Sequence, residues 1–237
     1  MDKKRIAITG SRGTIGIILK DGLPEDFEII EASLPEVDVR DFGQLKKVAR
    51  GAFAIIHLAW NSKAENHKNE QIDPDSSLMF LNVYKAAIET GAKRVIMASS
   101  IHADTFIGRK GPPASQARAL RAGPGLLSPD RTPVPDSPYG ANKVFAESMG
   151  RYFASKGLEV VCVRFGGVNQ RNSPAGAEHP AEERAAWLSH NDLISLIRAI
   201  LQAESIPNFV LMYAVSDNPG RIHDTSNPFG WMPKDRA

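Results

Sequence analysis

Six short apolar runs punctuate the 237-residue chain, separated by longer stretches of helical period, and this alternation restricts the fold more than any other feature. The runs are "RIAIT", "FEII", "AIIHLA", "RVIMAS", "EVVCVRF" and "FVLMYAV". Their β-branched content and lack of polar interruption are what strands buried on both faces require. Between them "TIGIILKDG", "FGQLKKVARG", "DSSLMFLNVYKAAIETG" and "SPYGANKVFAESMGRYFASKG" carry helix starts and a glycine stop, as with Asp75 or Ser76 before the third and Gly91 after it. The expected class is α/β: a Rossmann-like, doubly wound parallel sheet with helices on both faces and a small C-terminal part. From Leu23 to Asp38 there are too few residues for a strand and a full helix, so a loop must lead from the second strand into "VDV".

Composition narrows the classes of function. Hydrophobic residues make up 42% of the chain and charged ones 24%, with a net charge of +2 and both signs interspersed. No basic stripe stands ready to neutralise phosphates, which argues against a nucleic-acid partner. The single cysteine, Cys162, falls inside an apolar run and reads as a buried, inert thiol, so no disulfide framework is expected. The opening "MDKKRIAITG" has too few apolar residues for a signal peptide or membrane span; no membrane partner and a cytoplasmic address are expected.

Two regions interrupt the pattern. Residues 104–138 are rich in Gly, Pro and Ser and read as a long loop; they carry Arg109, Lys110, Arg118, Arg121 and Arg131. A second polar insertion, "NQRNSPAGAEHPAEER", follows a strand end. Internal repeats and heptads are absent from the sequence.

The first run leads into "TGSRGTIG", where Gly10, Gly13 and Gly16 open a helix. In that arrangement the first glycine permits a tight turn, the second lets backbone approach a pyrophosphate, and the third lets helix and strand pack closely. The anion then rests on the positive end of the helix. Such glycine turns also arise for structural reasons alone. They gain weight from the motifs downstream, "VDVRD", "HLAW", the serine pair after "RVIMA", and "YGANK", each near the end of a successive strand. Through these motifs, over residues 5 to 215, the chain resembles the extended branch of the short-chain dehydrogenase/reductase superfamily, the NAD-dependent epimerase/dehydratase family.

Tyr139 and Lys143 lie four apart on a predicted helix and share a face. An adjacent ammonium favours the phenolate, which lets a tyrosine exchange a proton with a sugar hydroxyl. The resemblance implies that Ser100, rather than Ser99, donates to the reacting oxygen while a nicotinamide takes hydride. It implies further that the coenzyme meets Gly10, Arg12, Gly13, Thr14, Ile15, Gly16, Ser33, Asp38, Val39, Leu58, Ala59, Trp60, Asn82, Ala98, Phe165 and Val168, besides Tyr139 and Lys143. His57 reads as a structural histidine. Phe145, Met149 and Tyr152, at helical spacing, read as core.

NADP is favoured over NAD. Ser33 stands where an acid would bind the adenine ribose, and Arg12, just before the second glycine, suits a bidentate phosphate contact. A shift at the strand end would instead restore Glu31 as an NAD ligand. The chain is expected to form a single domain, with residues 1–165 mainly dinucleotide-binding and 166–237 mainly substrate-binding.

At finer grain "SSIHA", "VCVRFG", "ERAAWLSHNDLISLI" and "YAVSDNPGRIHDTSNPFGWMPKD" resemble uronate dehydrogenases and archaeal glucose 6-phosphate dehydrogenases, which oxidise an anomeric carbon to a lactone. The implied substrate residues are Ser100, Ile101, His102, Gly167, Asn169, Arg171 and Arg184, with no metal. Ile101 and Gly167 depart from the uronate enzymes' pattern, and Arg184 is displaced from their carboxylate-binding arginine. Arg171 or the loop arginines would suit a phosphate. The expected activity is an NAD(P)-dependent sugar dehydrogenase. A nucleotide-sugar epimerase or keto-reductase, and an NADP-sensing regulator without chemistry, remain as alternatives. The relatives also imply a homodimer through the helices containing Asn82 and Tyr139.

Overall fold

The computed structural model describes residues 3–61, 71, 73–104, 126–179 and 181–237. All six apolar runs form strands: β1 (Lys4–Thr9), β2 (Phe27–Ala32), β3 (Ala54–His57), β4 (Arg94–Ser100), β5 (Glu159–Phe165) and β6 (Phe209–Ala214). They make one parallel sheet in the order β2-β1-β3-β4-β5-β6. The expected α/β class is therefore observed, and the strand order reverses direction between β1 and β3, where a crevice opens at the carboxyl ends.

Side-chain alternation along the strands feeds two apolar layers. On one face Ile6, Ile8, Ile56, Val161 and Val163 pack with α1 (Thr14–Gly22) and a helix running from His190 to Gln202. On the other, Ala7, Ile55, Val95, Val160 and Cys162 pack with α2 (Phe42–Ala49), α3 (Pro74–Thr90) and α4 (Pro138–Ala154). Full burial of each such aliphatic side chain contributes about 1.5–3 kcal/mol. Cys162 is fully buried, as expected.

Helix ends follow local chemistry. The α3 helix begins earlier than Asp75 or Ser76: the Asp73 carboxylate accepts from the Asp75 N–H at 3.1 Å, and Pro74 occupies the first turn, where it forfeits no hydrogen bond. Gly91 closes α3 in the left-handed conformation at φ 73°. Ser137 caps α4 by accepting from the Gly140 N–H at 3.1 Å. After β2, residues 33–41 run as a loop through "VDV" to the Asp41 cap of α2, as the short spacing requires.

Beyond β5 come α5 (Ala181–Ala185), α6 (His190–Gln202) and β6, so residues 166–237 supply a strand and a long helix to the body of the sheet. The α6 helix carries Leu193, Leu196, Ile197, Ile200 and Leu201 on its buried face, a helical period that begins within "WLSHNDLISLI" and runs past its end. After β6 the chain folds back so that Trp231 joins the core and its indole donates to Ser195 Oγ at 3.0 Å. Among the described residues no helix is long and apolar enough to cross a membrane.

Candidate active site

A cleft of about 300 Å³ lies at the carboxyl ends of the central strands. Its floor is the glycine turn. Gly10 has φ +69°, and a Cβ there would stand 2.7 Å from the Ala59 nitrogen; at Gly16 a Cβ would stand 2.6 Å from the Gly10 carbonyl oxygen. Both positions therefore require glycine, one for its dihedral angle and the other for helix-to-turn packing. No side chain caps the start of α1 at Gly13, and Thr14, Ile15 and Gly16 line the cleft with their helix end toward it. A pyrophosphate fits this cradle, where backbone N–H groups at a helix start point at an anion.

The opposite wall carries the reacting groups. Ser100 ends β4, while Tyr139 and Lys143 stand one turn apart at the start of α4; all three line the cleft with Leu58, Ala98 and Trp60. Lys143 Nζ donates to the Ala98 carbonyl at 2.9 Å and lies 4.8 Å from the Trp60 ring centre. The Trp60 and Tyr139 rings meet edge to face at 4.8 Å. Burial lowers the Lys143 pKa to about 8 against the opposing influence of Glu147. Burial also holds the Tyr139 phenol above its ordinary value, with hydrogen bonding to Ser100 working the other way. This direction is opposite to the depression expected from Lys143, because the ammonium is directed at the Ala98 carbonyl while desolvation acts on the phenol.

Other expected coenzyme positions divide into those that line the cleft and those that shape it. Phe165 and Val168 complete its far side. Ala59 and Val39 sit behind it, the first against Gly10 and the second buried in the core. The buried Asn82 amide donates to the Val39 and Arg40 carbonyls at 3.1 and 2.9 Å, so it shapes the turn after β2 from behind. His57 is structural, its Nδ1 bonded to Thr9 Oγ1 at 2.7 Å; burial, reinforced by the nearby Lys143, lowers its pKa to about 3.

At the far end of the glycine turn the polar groups pair with one another at the surface. Arg12 forms an ion pair with Glu36 at 2.8 Å and donates to the Leu34 carbonyl. Ser33 and Glu31 both reach Ser11 Oγ, at 3.0 and 3.2 Å, and Glu31 also pairs with Lys20. Asp38 is held by Arg40, which reaches on to Asp75.

The expected substrate residues are less uniform. His102 Nδ1 bonds Asp136 at 2.8 Å, its ring meets Tyr139 at 5.7 Å, and its backbone N–H donates to Ser100 Oγ. Ile101 instead packs with Leu127, Tyr213 and Val215 in a small apolar cluster. Gly167 pairs through its backbone with Ala186 and Leu188. The Asn169 amide is taken up by its own loop, accepting from Arg171 N–H and donating to the Ser173 carbonyl. A second cavity of about 530 Å³ adjoins the cleft at Thr14 and Val168, with Asn169, Arg171 and His179 on its walls. Arg184 lies on α5 and lines neither cavity. Of the basic residues in the long loop, Arg131 faces Asp104 at 3.4 Å, while Arg109, Lys110, Arg118 and Arg121 lie outside the described residues.

Sequence reasoning misses a buried network beneath the site. Ser99 Oγ donates to Glu147 at 2.5 Å, and Arg164 grips both Glu147 oxygens at 2.8 Å. Arg164 donates on to the Tyr213 hydroxyl, which donates to Asp104. The available signal is Arg164 itself, a cation set inside the otherwise apolar stretch that follows Glu159 in "EVVCVRF". Among the described residues no group of three or more His, Cys, Asp or Glu is placed to hold a metal ion.

The profile of the NAD dependent epimerase/dehydratase family matches residues 6–176. An L-arabinose 1-dehydrogenase (NAD(P)(+)) of Haloferax volcanii is 27% identical over 98% of this chain and 97% of its own. A uronate dehydrogenase of Agrobacterium fabrum is 28% identical over 99% of this chain and 86% of its own. The crystal structure of uronate dehydrogenase from Agrobacterium tumefaciens superimposes with a TM-score of 0.80 at 26% identity, covering 100% of this chain and 86% of that one.

Proposed function

This chain belongs to the NAD dependent epimerase/dehydratase family, and we propose that it is an NAD(P)-dependent sugar dehydrogenase oxidising the anomeric carbon of a small aldose, sugar phosphate or hexuronate to its lactone. The observation that carries this reading is the meeting of Ser100, Tyr139 and Lys143 on one wall of a cleft whose floor is an uncapped helix start. A bound nicotinamide supplies the hydride acceptor. The rest is done by the chain. Ser100 holds the anomeric oxygen by hydrogen bonding, and Tyr139, once ionised, takes its proton as general base; Lys143, one turn along the same helix face, offsets that charge by turning its ammonium from the Ala98 carbonyl toward the phenolate. Trp60 and Leu58 keep that end of the cleft apolar, which strengthens each of these interactions by limiting water.

The proposed coenzyme of preference is NADP, with Arg12 as the cation for the ribose phosphate and Glu36 as its competitor. His102 and Arg171 are the proposed contacts to the sugar and to an anionic substituent. Leu78, Ile88, Phe145 and Tyr152, large apolar residues exposed on α3 and α4, support a homodimer through these helices. Phe145 and Tyr152 are thus not the core residues expected from their spacing; the small Ala146 and Gly150 face the sheet instead, so the helix sits close to it. A sedimentation profile of a monomer at micromolar concentration would remove the dimer.

The activity is tested by mixing the protein with NADP or NAD and a panel of glucose, galactose, arabinose, hexose 6-phosphates and hexuronates, following reduced coenzyme by absorbance. Turnover of at least one aldose, abolished in Tyr139→Phe, is the expected result. Coenzyme binding with silence across the panel would overturn the reading.

A further inference from the structure

We infer that Glu147, clamped between Ser99 and Arg164, is a positioning residue that sets the end of β4 against the Tyr139–Lys143 face of α4. The inference rests on the dehydrogenase reading for what is positioned, and on the buried contacts for how. Tyr139, Lys143 and Glu147 follow one another at four-residue steps, so the face that bears the base and the ammonium continues inward to a carboxylate. That carboxylate is buried. It takes a 2.5 Å hydrogen bond from Ser99, the residue immediately before Ser100. Both serines line the cleft, but their hydroxyls meet different groups of α4: Ser99 is tied to Glu147, and Ser100 to Tyr139.

Arg164 fixes the carboxylate from β5 with two parallel hydrogen bonds, the geometry that best resists rotation. The guanidinium is itself held by the Tyr213 hydroxyl on β6, and Asp104, which follows the 3₁₀ turn Ile101–Ala103, lies 3.6 Å from it. Three neighbouring strands and α4 are thereby tied to one another through charged and hydroxyl groups that are almost wholly buried. Breaking one member leaves another buried and unpaired, so the geometry admits a single arrangement.

Glu147 also bears on the charge of Lys143. The groups facing that ammonium are Tyr139 and Glu147 on its own helix, His57 on β3, Cys162 on β5, and the Trp60 and Phe80 rings. His57 stays neutral and burial pushes the Cys162 thiol far up, which leaves Glu147, among the described residues, as the negative charge that sustains the ammonium against desolvation. Glu147→Gln preserves volume and one acceptor while removing that charge.

The expected outcome for Glu147→Gln is a kcat lower by about tenfold or more, with coenzyme Kd within about twofold of wild type. The alkaline limb of the kcat profile moves to lower pH by about one unit. Glu147→Asp restores the limb but only part of the rate, because the charge returns on a shorter arm. Lys143 titrated by NMR of labelled lysine side chains, assigned with Lys143→Met, reads the same shift without turnover; it therefore remains informative if the wild-type protein oxidises no sugar and the dehydrogenase reading fails. Should Glu147→Gln not fold, Ser99→Ala removes only the bond to β4 and is expected to lower kcat about threefold at unchanged coenzyme affinity. A purely structural role would lower the melting temperature and leave kcat, the pH limb and the lysine titration of the folded variants at wild-type values, and that result would overturn the inference.

Discussion

The two surroundings of the cleft, beneath the reacting wall and beside the glycine turn, are built on opposite electrostatic plans. At the reacting end Lys143, Glu147 and Arg164 are 4%, 4% and 0% exposed, and each has fixed partners. At the end beyond Gly13, the Arg12 and Glu36 side chains are 53% and 62% exposed and share a single ion pair. Buried charges cost several kcal/mol each in lost hydration and persist only in one complementary arrangement, whereas exposed pairs are screened and exchange partners readily. The proposed chemistry is thus placed where rearrangement is expensive, and the proposed contact to a coenzyme's outer phosphate where it is cheap.

The comparison breaks first at Tyr139. Tyr139→Phe is expected to lower kcat by about 10²–10⁴-fold while the protein folds and binds coenzyme normally; retention of more than a tenth of the wild-type rate would remove Tyr139 as the base. Arg164→Leu strands Glu147 and is expected to cost about 3–5 kcal/mol in denaturant unfolding. Arg12→Ala, measured beside it, should leave the unfolding midpoint unchanged, and equal losses from the two would erase the contrast between the ends.

Next in size is a pH effect at His57. The folded protein keeps this imidazole neutral down to about pH 3, whereas an unfolded chain protonates it near its ordinary 6.5. Between those values the unfolded state binds the additional proton, so stability falls as pH falls, by about 1.4 kcal/mol per pH unit for this one group. His57→Gln should flatten the acid side of the stability profile by that slope, and an unchanged slope would show that the imidazole is already charged in the fold. The smallest expected effect is at the exposed end: Glu36→Gln raises the NADP-to-NAD ratio of kcat/KM by about three- to tenfold, and Arg12→Ala lowers it. A ratio indifferent to both would dismiss Arg12 as the phosphate contact.

Legibility in the sequence divides along similar lines. The six strands and the glycine turn are legible because local composition dictates them: buried parallel strands must be apolar, and Gly10 and Gly16 have no room for a side chain. The juxtaposition of Ser100 with Tyr139 and Lys143 is accessible only through resemblance, since 39 positions separate the serine from the tyrosine. The face of α4 is easily misread because Phe145 and Tyr152 outweigh Ala146 and Gly150 in any hydrophobic count, although close approach to a sheet selects the smaller residues. The Glu147–Arg164 network escapes because its partners come from four elements, and no spacing along the chain encodes them. Likewise the place of Ile101 beside the serines suggests a substrate contact, while its side chain turns into the apolar cluster with Tyr213.

The return of the chain under α6 bears on the order in which the molecule is assembled during synthesis. Asp192, almost wholly buried, accepts from Ser216 Oγ and from the backbone N–H groups of Lys234 and Asp235. Two of its partners therefore emerge from the ribosome more than forty residues after it does. The hydrogen bonds that hold the start of α6 therefore span long sequence separations, which places the edge formed by β6 among the slower-forming parts of the sheet.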